Sequence, residues 1–288
     1  MSISDSHKHC LYMKDCVQGA KELSDESLDL ILSSPPYFDF IVYSQEQDNL
    51  STKTYRDFFT EISQLWTNME PKLKKGGVIA LWVHDVYKKK EDYYTLFPLH
   101  ADLVSTFPPS LELRNIVIWD RILKKIMPEL PQAKSEVTRF QYIILFSKGR
   151  TKYEKNFNDF YWDPFWYYKT CPKYLGSKLL YRFIFQIGKI PLLYKILNPI
   201  FSKTEKTFVK DEYIAKDYTT ACPEEVVQMI MEKFSQKGNT TCDTFLGSGT
   251  TLKVADNMGR HCIGFEINKD AKEIIMRKIN RADVKVIE

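Results

Sequence analysis

Short apolar runs alternate with stripes of helical period along the chain, and this alternation predicts strands and helices in turn. Apolar runs predict strands at residues 10–15, 28–34, 78–83, 113–119, 140–147, 240–245 and 261–267. Apolar residues at helical spacing predict helices at residues 55–73, 96–106, 223–238, 252–258 and 269–281. Gly76 and Gly77 should end the first of these helices, and Pro223 suits the first turn of the third. We therefore expect an α/β fold with a mostly parallel sheet and an antiparallel edge, because the strands at 113–119 and 140–147 follow each other directly.

Regular patterning is interrupted between residues 150 and 216. This window holds 13 Lys and Arg against 6 Asp and Glu, a net charge of +7, so the rest of the +4 chain carries −3. It also contains 17 of the 40 aromatic residues. Such a mixture suits phosphate and base contacts, and it equally suits a small module with its own aromatic core and solvated lysines. We predict an insert at 150–216 between two halves of one domain, 1–149 and 217–288.

Several classes of protein are disfavoured by composition. Residues 1–10 contain no apolar leader, and the most apolar window, 179–201, is interrupted by charges and a proline, so we expect a cytoplasmic protein without a membrane span. The six cysteines include no Cys-x-x-Cys pair and the five histidines form no partner set, which argues against a metal site or a disulfide framework.

The strand at 28–34 stops abruptly at Ser34-Pro35-Pro36-Tyr37. Two prolines fix the backbone and remove two N–H donors, so carbonyl groups at the carboxyl end of this strand have no ladder partners. Open α/β sheets bind their ligands at this end. A flat ring bearing an amino group can stack on Tyr37 while its NH2 donates to Ser34 and the Pro35 carbonyl. An ordinary strand followed by a proline turn explains the same residues.

A glycine-rich turn follows the strand at 240–245. Asp243 precedes Gly247 and Gly249, and Glu266 ends the next strand, 19 residues after Gly247. Glycines let the backbone approach a ligand, and a carboxylate at this distance accepts from ribose hydroxyls. Leu252 stands where a dinucleotide site requires a third glycine, and the lysine of a P-loop is absent. The turn therefore suits an adenosine without a pyrophosphate, and Asp243 suits a cationic amino group. S-adenosylmethionine meets both requirements.

Together these motifs resemble those of the S-adenosylmethionine-dependent DNA amino-methyltransferases. Ser34–Tyr37 is similar to their catalytic motif. Their cofactor motif is similar to the run that contains Asp243, Phe245, Gly247, Ser248, Gly249 and Thr250. The catalytic motif comes about 200 residues before the cofactor motif, and this circularly permuted order resembles the β subgroup.

The resemblance implies a Rossmann-like methyltransferase fold with a target-recognition insert. It also implies that Thr220 and Ala221, just before Cys222-Pro223, line the cofactor. It places Asp15, at the end of the first strand, near the adenine of the cofactor, with an ordinary turn carboxylate as the alternative. The permuted order also predicts that the N- and C-termini lie near each other, because the final strand–helix unit must lead in space to the first strand.

The acceptor base follows from the first residue of the catalytic motif. In the family, Ser is typical of cytosine-N4 enzymes and Asp or Asn of adenine-N6 enzymes, so Ser34 favours cytosine N4, with adenine N6 as the alternative. The base would be flipped out of double-stranded DNA and methylated directly, without a metal. An RNA or protein amide methyltransferase and a non-enzymatic nucleic-acid-binding protein are the competing classes.

Partners are implied only in outline. The resemblance is compatible with restriction-modification in a prokaryote or phage, with a restriction endonuclease as a separate chain and with a homodimer. The sequence decides none of these, nor does it reveal the recognised DNA site.

Overall fold

The computed structural model describes residues 8–36, 50–89, 94–120, 140–158, 222–280 and 283–288. The chain divides into two compact units: residues 1–121, 132–161 and 220–288 form one, and residues 122–131 and 162–219 form the other. All described residues belong to the first unit. Most of the predicted 150–216 insert lies outside the described residues, so its boundaries stay a prediction.

Ten strands and seven α-helices occur in the described ranges. The strands are β1 (His9–Tyr12), β2 (Leu28–Ser33), β3 (Leu73–Val83), β4 (Val86–Lys89), β5 (Tyr94–Phe97), β6 (Glu112–Asp120), β7 (Phe140–Ser147), β8 (Thr240–Asp243), β9 (His261–Phe265) and β10 (Val284–Ile287). The helices are α1 (Cys16–Gly19), α2 (Tyr55–Met69), α3 (Leu99–Val104), α4 (Glu154–Asn158), α5 (Glu224–Phe234), α6 (Thr250–Asn257) and α7 (Ala271–Arg277).

Eight of the strands form one sheet in the order β10-β1-β9-β8-β2-β3-β7-β6. Neighbours are parallel except around β7, which is antiparallel to β3 and to β6. β4 and β5 pair separately as an antiparallel hairpin. The predicted mostly parallel sheet with an antiparallel strand near one edge is therefore confirmed. β2, which leads to Ser34, lies between β8 and β3 in the interior of the sheet.

The core forms where amphipathic helices cover this sheet. α2 buries five of the six apolar residues that its sequence places at helical spacing, and the sixth, Phe59, is half-buried. The five buried residues are Phe58, Ile62, Leu65, Trp66 and Met69. These side chains join Ile31 of β2 and Ile144 of β7 in one apolar cluster. α5 buries its own predicted stripe and also contacts β2. Since burial of apolar surface is the main favourable contribution to folding, these contacts fix β2 and its carboxyl end.

The connection between α2 and β3 differs from the prediction. We expected a helix through residue 73 that Gly76 and Gly77 would end, yet α2 stops at Met69 and β3 begins at Leu73. Pro71 explains the stop, because it has no N–H to continue the helix. Gly76 instead lies inside β3 with a φ of +75° and marks an irregular register with β2.

Two further elements were assigned wrongly from sequence. Residues 94–97 form β5, so the helix predicted at 96–106 is only the shorter α3, which begins after Pro98. The last predicted helix, 269–281, ends at Arg277 as α7, and β10 follows it. The alternation Val-Lys-Val-Ile at 284–287 is the strand signal that the prediction overlooked.

The first and last strands of the described chain are neighbours. The predicted closeness of the two termini involves residues 1–7, which lie outside the described residues, so it stays a prediction. His9 of β1 pairs with Val284 of β10 in a parallel register. Because the two strands are parallel, the end of β10 lies one strand length away from the start of β1. Among the helices that the structure describes, none is both long and apolar enough to cross a membrane.

Candidate active site

Four neighbouring parallel strands end at one edge of the sheet and bring the predicted site residues there. The carboxyl ends of β1, β9, β8 and β2 lead, respectively, to Asp15, Glu266, Asp243 and Ser34. Pro35 is buried, whereas Ser34 and Pro36 are half-buried. Tyr37 lies outside the described residues. The sheet therefore brings together two motifs that are far apart in sequence.

Asp243, the last residue of β8, is buried. Its Oδ1 lies 3.0 Å from the Phe245 backbone N–H that donates to it and 3.3 Å from the Oγ of Ser33, and the Thr251 hydroxyl also donates to the carboxylate. Burial raises the pKa of Asp243 to about 6, although these hydrogen bonds oppose the shift. A cation that reached this carboxylate would restore its charge, because an opposite charge stabilises the ionised form.

The glycine-rich turn has the backbone conformation that only glycine adopts readily. Gly247 has a φ of +56° and Gly249 a φ of +84°. A Cβ at Gly249 would lie 3.2 Å from the Cγ2 of Ile275, so this glycine also permits α7 to pack against the turn. Gly249 is the N-terminal cap of α6 and has no side chain to cap it. The turn therefore presents backbone rather than side chains at the sheet edge.

Glu266 follows β9 and fixes this turn. Its Oε2 accepts from the Gly247 N–H at 2.8 Å, and its Oε1 accepts from the Asn268 N–H at 2.8 Å. Burial raises the pKa of Glu266 to about 7, and the nearby Asp243 contributes to the increase. Each carboxylate oxygen can accept a second hydrogen bond. Glu266 is thus oriented by the backbone and retains the capacity to accept from a ligand hydroxyl.

Asp15 reaches the same edge but has a local structural task. It is the N-cap of α1, and its Oδ1 accepts from the Gln18 N–H at 2.9 Å. The end of β1 is tied to Glu266, since the Glu266 N–H donates to the Tyr12 carbonyl at 3.0 Å. This agrees with the alternative of a turn carboxylate, and a contact of Asp15 with adenine stays a prediction.

The segment predicted to line the cofactor is described only from Cys222 onward. Thr220 and Ala221 lie outside the described residues. Pro223 directly precedes α5, as its helix-start signal predicted. Burial raises the pKa of the Cys222 thiol, and the charge of Asp243 adds to this effect, which places Cys222 in the electrostatic neighbourhood of the site.

Two polar residues of the site were missed by the sequence analysis. Ser33 hydrogen-bonds to Asp243, and its signal was a hydroxyl at the last position of a mostly apolar strand. Lys278, after α7, donates to the Ser248 Oγ at 2.9 Å. No local pattern marks Lys278, because it belongs to an ordinary basic helix end. Ser248 and Thr250 are buried and their hydroxyl oxygens lie 3.3 Å apart.

A second polar cluster lies where β3 ends, beside β2. The buried Asp85 accepts from the Nδ1 of His100 at 2.6 Å and from the His100 backbone N–H at 3.2 Å. The His100 ring stacks on Tyr142 with 3.8 Å between ring centroids. His84 Nδ1 donates to the Asp85 carbonyl at 2.9 Å. These contacts anchor the hairpin and α3, which supports a structural role for His84 and Asp85.

The cysteines of the described chain are free thiols. Cys10, Cys16, Cys242 and Cys262 are buried, and burial raises the pKa of each thiol. Within the ranges that the structure describes, no group of three or more His, Cys, Asp or Glu side chains is arranged to hold a metal ion.

Known proteins are similar to this chain over nearly its whole length. Residues 28–277 match the N6/N4 methyltransferase family, which is described as DNA methylase. The type II methyltransferase M.MjaI of Methanocaldococcus jannaschii is 25% identical over 310 residues, which cover 97% of this chain and 93% of M.MjaI.

Two solved structures have a similar fold. TTHA0409 of Thermus thermophilus, complexed with S-adenosyl-L-methionine, has a TM-score of 0.61 and 20% identity, covering 97% of this chain and 100% of its own. PvuII DNA methyltransferase (cytosine-N4-specific) has a TM-score of 0.55 and 13% identity, covering 100% of this chain and 99% of its own. These likenesses confirm the Rossmann-like methyltransferase fold.

Proposed function

The chain belongs to the N6/N4 DNA methylase family, and from this premise we propose that it transfers a methyl group to the N4 amino group of a cytosine in double-stranded DNA. S-adenosyl-L-methionine is the cofactor and supplies the electrophilic methyl group when bound. Relatives such as M.MjaI are named type II methyltransferases. We therefore assign the chain to restriction-modification, with a restriction endonuclease as a separate partner.

The observation that supports this proposal best is a hydrogen bond between the two strands that lead to its motifs. The Oγ of Ser33, the residue before Ser34-Pro35, lies 3.3 Å from Oδ1 of Asp243, the last residue of the strand before the glycine-rich turn. A methyl acceptor bound at Ser34 and a methyl donor bound at Asp243 would thus meet at adjacent strand ends. Holding two reactants in line at short range is the main source of rate in such a transfer.

The residues of the cofactor side fit S-adenosyl-L-methionine in charge and shape. Asp243 would hold the amino group, because its buried carboxyl gains a partner for its charge only from a cation. Glu266 would accept from the ribose hydroxyls, with Asp15 toward the adenine. The backbone and side chains of the turn would contact the rest, together with the segment before Cys222; these residues are Phe245, Gly247, Ser248, Gly249, Thr250, Thr220 and Ala221.

The residues of the acceptor side would hold a flipped base. Tyr37 would stack on the ring, while the Ser34 hydroxyl and the Pro35 carbonyl accept from its amino group. Those hydrogen bonds draw the nitrogen lone pair out of ring conjugation and direct it toward the methyl group. The amino nitrogen forms the new N–C bond as the methyl–sulfur bond breaks, and the nitrogen then loses one proton to water. Pro36 keeps the backbone of this motif rigid.

Ser34 supports cytosine N4 over adenine N6, because a hydroxyl replaces the carboxylate or amide typical of the adenine enzymes. Double-stranded DNA methylated in vitro with labelled cofactor, digested to nucleosides and examined by mass spectrometry tests this assignment. We expect N4-methylcytosine. N6-methyladenine alone would replace the base assignment and leave the methyltransferase proposal standing. Transfer to RNA or protein without transfer to DNA would overturn the proposal.

The stacking role of Tyr37 can be tested separately from cofactor binding. We expect Tyr37→Ala to lose most turnover on DNA, about a hundredfold or more, because the flipped base is no longer held in line. Its affinity for the cofactor in calorimetry should stay within about twofold of wild type. Full activity in this variant would contradict the stacking role.

A further inference from the structure

We propose that Ser33 is a positioning residue that orients the Asp243 carboxylate toward the amino group of the cofactor and so links the cofactor site to the methyl-acceptor motif. This inference rests on the proposed function, in which Asp243 holds that amino group. Ser33 belongs to neither sequence motif, and its contacts become visible only when β2 and β8 pair.

Ser33 is the last residue of β2 and has no solvent-exposed surface. Its Oγ lies 3.3 Å from Asp243 Oδ1 and 2.7 Å from the Oγ1 of Thr244, which is also buried. A buried hydroxyl needs hydrogen-bond partners, because it has lost those that water would provide. Both of its partners lie on the segment that leads from β8 into the glycine-rich turn.

The direction of these hydrogen bonds follows from the number of protons available. An ionised carboxylate only accepts, and a hydroxyl has one proton to donate. The Ser33 hydroxyl therefore donates to Asp243, and the Thr244 hydroxyl donates to Ser33. The result is a chain from Thr244 to Ser33 to Asp243, in which each hydrogen bond polarises the next.

The origin of this donor distinguishes it from the other donors to Asp243. The Phe245 N–H and the Thr251 hydroxyl lie on the cofactor side of the chain. Ser33 comes from the acceptor strand and is bonded covalently to Ser34. The Ser33 contact therefore depends on the pairing of β2 with β8, whereas the other two donors belong to the same segment as Asp243.

Two ligands separate positioning of Asp243 from general effects on the site. S-adenosylhomocysteine carries the amino-acid end that Asp243 would hold, and methylthioadenosine has the same adenosine and sulfur without that end. The variant is Ser33→Ala. The matched control is Ser147→Ala, which also removes a fully buried strand-end serine but whose hydroxyl donates to the Gly149 carbonyl, outside this site.

Calorimetry should show a selective loss. We expect Ser33→Ala to lower the affinity for S-adenosylhomocysteine about tenfold, which is the effect of one hydrogen bond to a charged group. The affinity for methylthioadenosine should change by less than about twofold. Thr244→Val should cause a smaller selective loss, because it removes only the second donor of the chain. Ser147→Ala should bind both ligands as wild type does. Unchanged binding of S-adenosylhomocysteine to Ser33→Ala, or equal weakening of both ligands, would overturn the inference.

The pH dependence of binding provides a readout that a purely structural role would not change. The ionisable groups that face Asp243 are Glu266 and the thiols of Cys222, Cys242 and Cys262. Ser33 donates a hydrogen bond to Asp243, and this bond lowers the pKa of the Asp243 carboxyl. Ser33→Ala should therefore raise the pH below which S-adenosylhomocysteine binding weakens. An unshifted profile would contradict the positioning role.

Asp243→Asn distinguishes failure of this inference from failure of the proposed function. If Asp243→Asn binds both ligands as wild type does, the assignment of Asp243 to the amino group is wrong. If Asp243→Asn selectively loses affinity for S-adenosylhomocysteine while Ser33→Ala keeps the wild-type affinity, the assignment of Asp243 stands and the role proposed for Ser33 is wrong.

Discussion

At the scale of single residues, the carboxyl groups of Asp243 and Glu266 at the sheet edge are desolvated by burial. Burial raises the pKa of Asp243 from 3.8 to about 6 and that of Glu266 from 4.5 to about 7. A carboxyl with a higher pKa in the folded protein than in the unfolded chain stabilises the fold while it is protonated. That stability is lost as the pH rises from the unfolded to the folded pKa, here between about 4 and 7.

Replacing Asp243 by an uncharged isostere should therefore stabilise the protein without ligand. At about pH 8 we expect Asp243→Asn to raise the free energy of unfolding by about 2–3 kcal/mol, because it removes a buried charge. At about pH 4 the gain should vanish, since Asp243 is protonated there. Urea unfolding at the two pH values measures this difference, with the exposed Asp25→Asn as control. A variant less stable than wild type at the higher pH would contradict the prediction.

Glu266 offers a test of how the glycine-rich turn is held. A glutamine has one acceptor oxygen where Glu266 uses two, so one of the N–H groups of Gly247 and Asn268 would face an NH2 group. We expect Glu266→Gln to lower the affinity for methylthioadenosine about tenfold, as measured by calorimetry. The exposed Glu273→Gln of α7 should bind as wild type does. Equal affinities in the two variants would contradict the role of Glu266.

At the scale of elements, the glycine-rich turn and α7 are matched in shape. Gly249 and Gly238 both have φ above +80°, yet a Cβ at Gly249 would contact Ile275 whereas nothing lies within 4 Å of one at Gly238. Backbone strain should lower the free energy of unfolding of both alanine variants by about 1 kcal/mol. We expect Gly249→Ala to lose about 1 kcal/mol more through overpacking and to weaken cofactor binding. Thermal unfolding and calorimetry compare them, and equal losses would contradict this packing argument.

Prediction from sequence succeeded where one local signal determined an element. The apolar stripe of α2, the proline that precedes α5 and the apolar run of β2 each matched the structure. It failed where two signals competed, as when Pro71 ended α2 before the expected glycines. Asp243 and Glu266 could be proposed from sequence because their spacing reflects backbone geometry, and the structure brings both to one sheet edge, while their roles stay predictions. Ser33 and Lys278 could not be proposed, because their partners lie 210 and 30 residues away in the chain and only tertiary pairing identifies them.

At the scale of the whole molecule, the pairing of β1 with β10 should allow circular permutation of the chain. Parallel pairing separates the end of β10 from the start of β1 by about 10 Å, a distance that a short linker spans. We expect a circular permutant that joins residue 288 to residue 1 and opens between residues 216 and 217 to fold and to methylate DNA within a few-fold of the wild-type rate.

Circular dichroism and the methylation assay measure this outcome. A second permutant, opened between Leu30 and Ile31, interrupts β2 in the interior of the sheet and should not fold. Loss of folding in the first permutant would show that residues 216 and 217 do not lie at a domain boundary.

The pairing of β2 with β8 also sets the time at which activity can appear during synthesis. Ser33 and Asp243 are 210 residues apart, so at about 5–20 residues per second the ribosome needs roughly 10–40 seconds to deliver β8 after β2. During that interval β2 lacks its β8 partner, and its apolar edge is open to association with other chains. A chain released before β8 contains Ser34–Tyr37 without Asp243 and the glycine-rich turn. DNA therefore meets a working enzyme only after the last quarter of the protein has been made.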